Sequence, residues 1–456
     1  MPNPRQKPVS SVIAYSGNRN RQIMVIALPM MLSNMSVPLL GLVDTALLGH
    51  LESAAFLGAV ALGANLINLA YWSFGFLRMG TTSLVARNAG ASSTDHNADD
   101  DEAGIMARSL LLAAALGLTI SALLPYWIDD IVRLLNASDA VAPLAAEYLG
   151  IRLYSAPAVL LTYTVAGWLI GHRRASAALT IVLTTNIANI VLDAWFILGL
   201  GWQSAGAAWA TLLAEYLGLL LALSFIRHEV SHYFQLGATT IFQGKALRAL
   251  LRGNFHLLIR TVLLLFVLNF FMAQGAKMGD ITLAANAILF QLAMFAAYVM
   301  DGFSHAAEAL CGRAIGAGRL GEFRQLVARC AVWTALSALA FSLIYALGGY
   351  WIAAWFSDIE TVTDTARAYL IWLTLMPLVA CLAYLLDGVF IGAGENRTLH
   401  FAMAISTAVF MLVWWFSLAW GNSGLWFAFL LFNLTRGLVL ALLYQRKWYV
   451  SHSTNI

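Results

Sequence analysis

Apolar residues run in stretches of about 20 along almost the whole chain, separated by short polar connections. A stretch of that length in hydrocarbon has no water to satisfy its backbone N–H and C=O groups, so each one predicts a helix. Twelve such spans are predicted, at 23–48, 54–78, 105–127, 148–171, 176–199, 204–226, 255–279, 281–305, 326–349, 366–391, 398–420 and 423–444. No connection is long enough for a soluble domain. The predicted fold class is therefore an all-α polytopic membrane protein.

The pattern repeats. Segment 57–91, LGAVALGANLINLAYWSFGFLRMGTTSLVARNAGA, aligns without gaps on 283–317, LAANAILFQLAMFAAYVMDGFSHAAEALCGRAIGA, with identities at Leu84/Leu310, Arg87/Arg313, Gly90/Gly316 and Ala91/Ala317. Weaker echoes pair GWLIG at 167–171 with GVFIG at 388–392, and SAGAAW at 204–209 with NSGLWF at 422–427. Each half holds six spans and starts on the same side, so the repeat is parallel, with a pseudo-two-fold axis along the membrane normal. The expected organisation is an N-terminal lobe (1–226), an inter-lobe linker (227–254) and a C-terminal lobe (255–456). Two lobes around a central cavity are transporter architecture, with substrate sites between or inside the lobes and moving parts near kinked helices.

Composition agrees: 61% of the 456 residues are hydrophobic and 11% charged. The net charge of +3 acts as a topology signal, because the basic residues are spread over many short loops and form no nucleic-acid stripe. Almost all Lys and Arg in tails and connections fall on the side holding both termini, with Arg133 and Lys277 opposite, so both termini are expected in the cytoplasm, at the inner membrane of a cell. The basic N-terminal stretch lacks a short apolar region followed by a small-residue cleavage site, so the first helix is expected to stay. Cys311, Cys330 and Cys381 have neither CxxC spacing nor His partners, and no metal, disulfide or cofactor role is expected. GxSxG and P-loop patterns are absent, the one HExxH match (HEVSH at 228–232) falls in the inter-lobe linker, and the connections are too short for a catalytic domain, which argues against an enzyme; unequal carboxylates in the two halves argue against a symmetric pore.

The candidate chemistry lies in acidic residues within the spans: Asp44, Asp193, Glu215, Asp301, Glu308 and Asp387. A charge at the bilayer centre costs at least about 2.5–3.5 kcal/mol, so such a group faces a polar cavity, pairs, or takes up a proton. Asp44 follows Pro38, which removes a helical hydrogen bond and makes the first span bendable, so the pair reads as a switch or, more simply, as a polar helix end. Asn186, Asn189 and Asp193 are spaced by three and four residues and line one helical face. They form the strongest site signal, with interhelical hydrogen-bond glue as the simpler reading. Thr211 and Glu215 share a face of the sixth span and are expected to extend that network. The apparent match of Asp193 in the second half is Trp414, so the N-terminal lobe looks specialised. Asp387, Asp301 and Glu308 are second in rank, and for them a salt bridge to Arg260 or Arg436 is as good a reading as an ion site.

The two-times-six plan, LVDTALLGHL with its upstream Pro38, NIVLD in span five and DGVFIG in span ten resemble the multidrug and toxic compound extrusion (MATE) family. The AANAILFQ and YVMDGFSHAAEAL stretches are similar to its DNA-damage-inducible protein F branch. The resemblance covers essentially the whole membrane region. It implies an exporter of amphipathic, often cationic compounds in exchange for H⁺ or Na⁺, using positions that map to Asp44, Asn189 and Asp193, with Thr211 at a span-six hydroxyl; a monomer is expected. Asp387 matches an aspartate that another branch uses for Na⁺, but span seven, RTVLLLFVLNFF, lacks the accompanying glutamate, which favours protons. The alternatives are a Na⁺-coupled exporter and a lipid-linked oligosaccharide flippase, for which Arg260 and Arg436 would serve a diphosphate.

Overall fold

The computed structural model describes residues 18–49, 53–92, 98–135, 137–227 and 241–449, and within these, side chains at 39, 42, 44, 45, 98–101 and 350 lie outside the description. Every regular element among the described residues is helical. The N-terminal lobe comprises α1 (Arg19–Gly49), α2 (Ala54–Ser73), α3 (Phe76–Ala91), α4 (Ala98–Leu123), α5 (Ile128–Leu134), α6 (Ala142–Arg152), α7 (Ala156–Gly171), α8 (Ala175–Asp193) and α9 (Gln203–Phe225). The C-terminal lobe comprises α10 (Gly244–Lys277), α11 (Asp280–Gly316), α12 (Leu320–Ala354), α13 (Glu360–Ala368), α14 (Leu370–Gly392), α15 (Asn396–Phe416) and α16 (Asn422–Trp448). Among the described residues 11 helical units are long and apolar enough to cross a membrane. The 31-residue α1, far longer than the roughly 20 residues a span requires, completes twelve passes.

Several spans are longer than hydropathy predicts, because helical hydrogen bonding continues where side chains already turn polar. The second pass runs over Ala54–Ala91 rather than 54–78 and is broken between α2 and α3. There Phe74 N–H donates to Tyr71 O and Gly75 N–H to Trp72 O, a tightening to three-residue turns. Its repeat mate α11 is continuous, and Asp301 stands where α3 is preceded by Gly75. The fourth pass begins at Ala142 rather than 148 and is interrupted by a 3₁₀ turn at Leu153–Ser155, just before Pro157 at the start of α7. Residues 244–254, expected as linker, are the first three turns of α10, with Leu250 and Asn254 buried. Residues 228–240 lie outside the description.

Backbone detail matches between the halves. After α7, Arg173 N–H donates to Ile170 O and Arg174 N–H to Leu169 O; after α14, Gly394 donates to Ile391 O and Glu395 to Phe390 O. Arg173 (φ 61°) and Gly394 (φ 76°) hold the same left-handed position.

The core shows how the lobes meet. One apolar cluster joins Ile26, Leu77 and Val85 of the N-terminal lobe to Phe303, Leu310, Leu386 and Phe390 of the C-terminal lobe. All its C-lobe members sit toward the end of the bundle at which the described chain starts and finishes. Toward the opposite end each lobe has a core of its own, around Phe271, Leu289 and Trp426 in one and Leu48, Val60 and Tyr148 in the other. Among the described residues the lobes are thus joined at the terminal end and have separate cores toward the other, a V that opens away from the termini. The joint tolerates no side chains at its crossing: a Cβ on Gly90 would fall 2.2 Å from Arg313 O, and one on Gly316 2.0 Å from Arg87 O.

Candidate functional site

The polar face of α8 is directed inward. Asn189 is 1% exposed and Asp193 fully buried. Asn186 donates from Nδ2 to Ser36 Oγ of α1 at 3.0 Å, and Ser36 in turn donates to Ser33 O. Asn189 donates from Nδ2 to Thr211 Oγ1 of α9 at 3.1 Å, while the Thr211 hydroxyl donates to Ala207 O. The spacing that places these residues on one face is therefore what ties α8 to α1 and α9. Donation by the amide nitrogen leaves Asn189 Oδ1 enclosed one turn from Asp193, an acceptor without a hydrogen bond among the described residues. Asp193 ends α8, and the chain continues as a π-helical turn over Ala194–Gly199. Such widened turns are frequent at functional positions. Asp44 lies in α1, but its side chain is outside the described residues.

Helix α1 touches both lobes. Beyond the Asn186–Ser36 bond, Asn34 Nδ2 donates to Tyr298 O of α11 at 3.5 Å. The Ala27 carbonyl and Met31 sit where a Cβ on Gly302 would fall. Pro29 and Pro38 are inside α1, which runs unbroken through both.

Glu215 turns to a different partner from Thr211's. Arg152, 4% exposed at the end of α6, donates from Nη1 and Nη2 to Glu215 Oε2 and Oε1 at 2.7 and 3.1 Å, a two-point pair. Arg152 also donates to Ser155 Oγ at 3.0 Å, and Tyr71 OH donates to the Arg152 carbonyl at 2.9 Å. The cluster thus bridges α9, the break between α6 and α7, and the end of α2 beside its own break.

In the C-terminal lobe α14 approaches α11 over Gly388 and Gly392, whose Cβ positions would meet the carbonyls of Ser304 and Glu308. That approach brings Asp387 into a buried ion pair with Arg260 of α10. Arg436 of α16 lies over the rings of Tyr384 and Phe432 instead, at 5.3 and 5.6 Å. Asp301 is half-buried. Glu308 is 1% exposed and joins Arg78 of α3 at 3.6 Å, with His305 Nδ1 3.3 Å from Arg78 Nη1 and 3.4 Å from Glu308 Oε2. This triad is an ion pair across the lobe boundary. Among the described residues no group of three His, Cys, Asp or Glu side chains is arranged to hold a metal.

Reasoning from sequence overlooked Arg152, Arg78, His305, Tyr71 and Ser36. Arg78 and Arg152 stood at span ends, where a basic residue needs no explanation. The signal available was that a mid-span glutamate demands a base.

A model of the MatE family matches residues 29–195 and 257–420, more than half of the chain and one stretch in each lobe. The chain is 36% identical over 445 residues to DNA damage-inducible protein F of Escherichia coli (strain K12), covering 96% of this chain and 94% of that one. It is 28% identical over 437 residues to Protein DETOXIFICATION 44, chloroplastic, of Arabidopsis thaliana, covering 92% and 81%. Among solved structures, the outward-facing conformation of a multidrug resistance MATE family transporter of the MOP superfamily superposes with a TM-score of 0.86 over 97% of this chain and 99% of that one, at 21% identity, a likeness of fold.

Proposed function

The chain belongs to the MATE family, a multi-pass membrane transporter for extrusion of small molecules, and from that premise we propose that it exports amphipathic, often cationic compounds across the inner membrane in exchange for inward-moving H⁺, with both termini in the cytoplasm. The observation that carries this reading is the enclosed polar face of α8. Asp193 is fully buried, Asn189 beside it keeps an acceptor without a partner among the described residues, and hydrogen bonds tie this face to α1 and α9.

With the termini in the cytoplasm, the V opens outward, the state that takes up the coupling ion and releases drug. A carboxylate in low dielectric alters its interactions strongly when its charge changes. Protonation at Asp193 or Asp44 changes what the α8 face offers α1. Because α1 carries Pro38 and touches both α8 and α11, bending it alters the inter-lobe contact as well. Drug and proton are coupled because each favours a different charge state of the same pocket, and a ligand shifts an equilibrium only through such a difference.

A second reading, Na⁺ coupling, is favoured by the Asn189 carbonyl oxygen, since a desolvated Na⁺ takes oxygen ligands of this kind. The deciding experiment is dye efflux in inverted or reconstituted vesicles under an imposed pH gradient, with and without Na⁺, for wild type, Asp44→Asn and Asp193→Asn. Export driven by the pH gradient alone, and lost in the variants, is the expected result. Export that needs only Na⁺, or that persists in both variants, sinks the proton mechanism.

A further inference from the structure

Two arginines stand near the acidic positions of the C-terminal lobe, and they fare unequally. Arg260 takes Asp387. Arg436 is 2% exposed, yet among the described residues no carboxylate lies within ion-pair distance of it. Its Nε is enclosed and makes no hydrogen bond among the described residues. Among the described residues its cationic head lies over two aromatic faces, Tyr384 at 5.3 Å and Phe432 at 5.6 Å. Stacking eases the burial of a guanidinium but supplies no acceptor for its forked N–H donors. A buried cation in that condition is costly to the fold unless an anion completes it.

The surroundings say what kind of anion would fit. One turn from Arg436, Asn433 lines a small cavity with about 20 Å³ free to the centre of a water molecule, together with Met294, Met300, Met376, Tyr384 and Phe429. Its wall is almost wholly apolar. Unbranched methionine side chains reshape readily around a guest, so the present volume is a floor for what the wall can admit. Tyr384 is only half-buried, so the side chain that covers Arg436 is also the one that borders open space.

We propose that the C-terminal lobe carries a second substrate subsite, in which Arg436 receives the carboxylate, sulfonate or phosphate of an amphipathic small molecule while its apolar body lies against Tyr384 and the methionine-lined wall. The planar fork matches a two-oxygen anion, which a lysine would meet only as a point charge. Cationic compounds engage the carboxylates of the N-terminal lobe, so zwitterions and amphipathic anions join the range of the same exporter. This rests on reading the chain as an exporter, but the test measures binding and needs no transport. Failure of proton-driven efflux and failure of this subsite are therefore separate results.

The test uses the purified full chain in lipid nanodiscs and two flat dyes of one skeleton and opposite charge, fluorescein and rhodamine 6G, each titrated by fluorescence anisotropy. Wild type is expected to bind both. Arg436→Gln is expected to weaken fluorescein at least about tenfold, as loss of a charge-assisted two-point contact requires, and to leave rhodamine 6G within about twofold. Arg436→Lys is expected to fall between, and carries the comparison if the glutamine variant does not purify as a monodisperse protein. Absence of fluorescein binding to wild type overturns the proposal. So does equal fluorescein affinity in wild type and the lysine variant, or a parallel loss of both dyes.

Discussion

Gly90 and Gly316 meet across the lobe boundary in a reciprocal contact, each lying against the carbonyl three residues before the other, Arg313 and Arg87. They are repeat mates, so this is the crossing point that a pseudo-two-fold axis generates when the same surface serves both sides. The lobes touch backbone to backbone there, and an added side chain must separate them.

Gly90→Val, or its mate Gly316→Val, is therefore expected to open the terminal end of the bundle. Overpacking at a closed contact costs about 1–3 kcal/mol, enough to move the open-to-closed ratio by roughly five- to 150-fold. Spin labels on the terminal ends of α3 and α11 read the separation. Unchanged distance distributions would show that the joint is compliant.

The pair Arg152–Glu215 is buried and held by two hydrogen bonds, so either partner alone is a liability. Arg152→Met is expected to cost about 3 kcal/mol, the low end for a broken buried pair because Glu215 keeps some contact with water. Adding Glu215→Gln should recover much of that loss. Thermal unfolding of the two single variants and the double variant measures the coupling, and simple additivity would argue that the pair contributes nothing.

Thr211→Val removes the acceptor of the Asn189 amide while keeping the shape of the side chain. Interhelical hydrogen bonds of this kind in membranes are worth about 0.6 kcal/mol on average, so under the proposed H⁺ exchange a roughly threefold fall in efflux is expected, against near-complete loss in Asp193→Asn. Equal defects in both would place the hydroxyl in direct contact with the coupling ion.

The turn shared by the halves offers a paired test. Gly394→Ala puts a Cβ at φ 76°, where L-residues cost about 1–2 kcal/mol, and also against the Arg87 guanidinium. Arg173→Gly relieves the same strain at φ 61° and is expected to raise the melting temperature. Opposite signs in the two melting curves are the expected outcome.

Some of this was legible beforehand and some was not. The α8 face was legible because Asn186, Asn189 and Asp193 lie within two helical turns, and helical spacing alone puts them side by side. That Asn189 bonds Thr211 follows from neighbouring spans having neighbouring depths. The partner of Glu215 was not legible, because Arg152 is 63 residues away and its reach depends on the 3₁₀ break at Leu153–Ser155. The choice of Arg260 over Arg436 by Asp387 was open for the same reason: both stand at suitable depths, and only helix rotation separates them.

The sequence by itself determined twelve passes, their duplication and the inward polar stripe of α8, since each rests on local rules: backbone satisfaction in hydrocarbon, an alignable repeat and a 3.6-residue period. Only the tertiary structure decided that the lobes join at the terminal end through Gly90 and Gly316, that Arg78 forms an ion pair with Glu308 across that joint, and that Arg436 has no carboxylate within ion-pair distance among the described residues. Those facts depend on how helices distant in the chain are rotated and pressed together. Such packing is a global minimum over many contacts, which no short window of residues encodes.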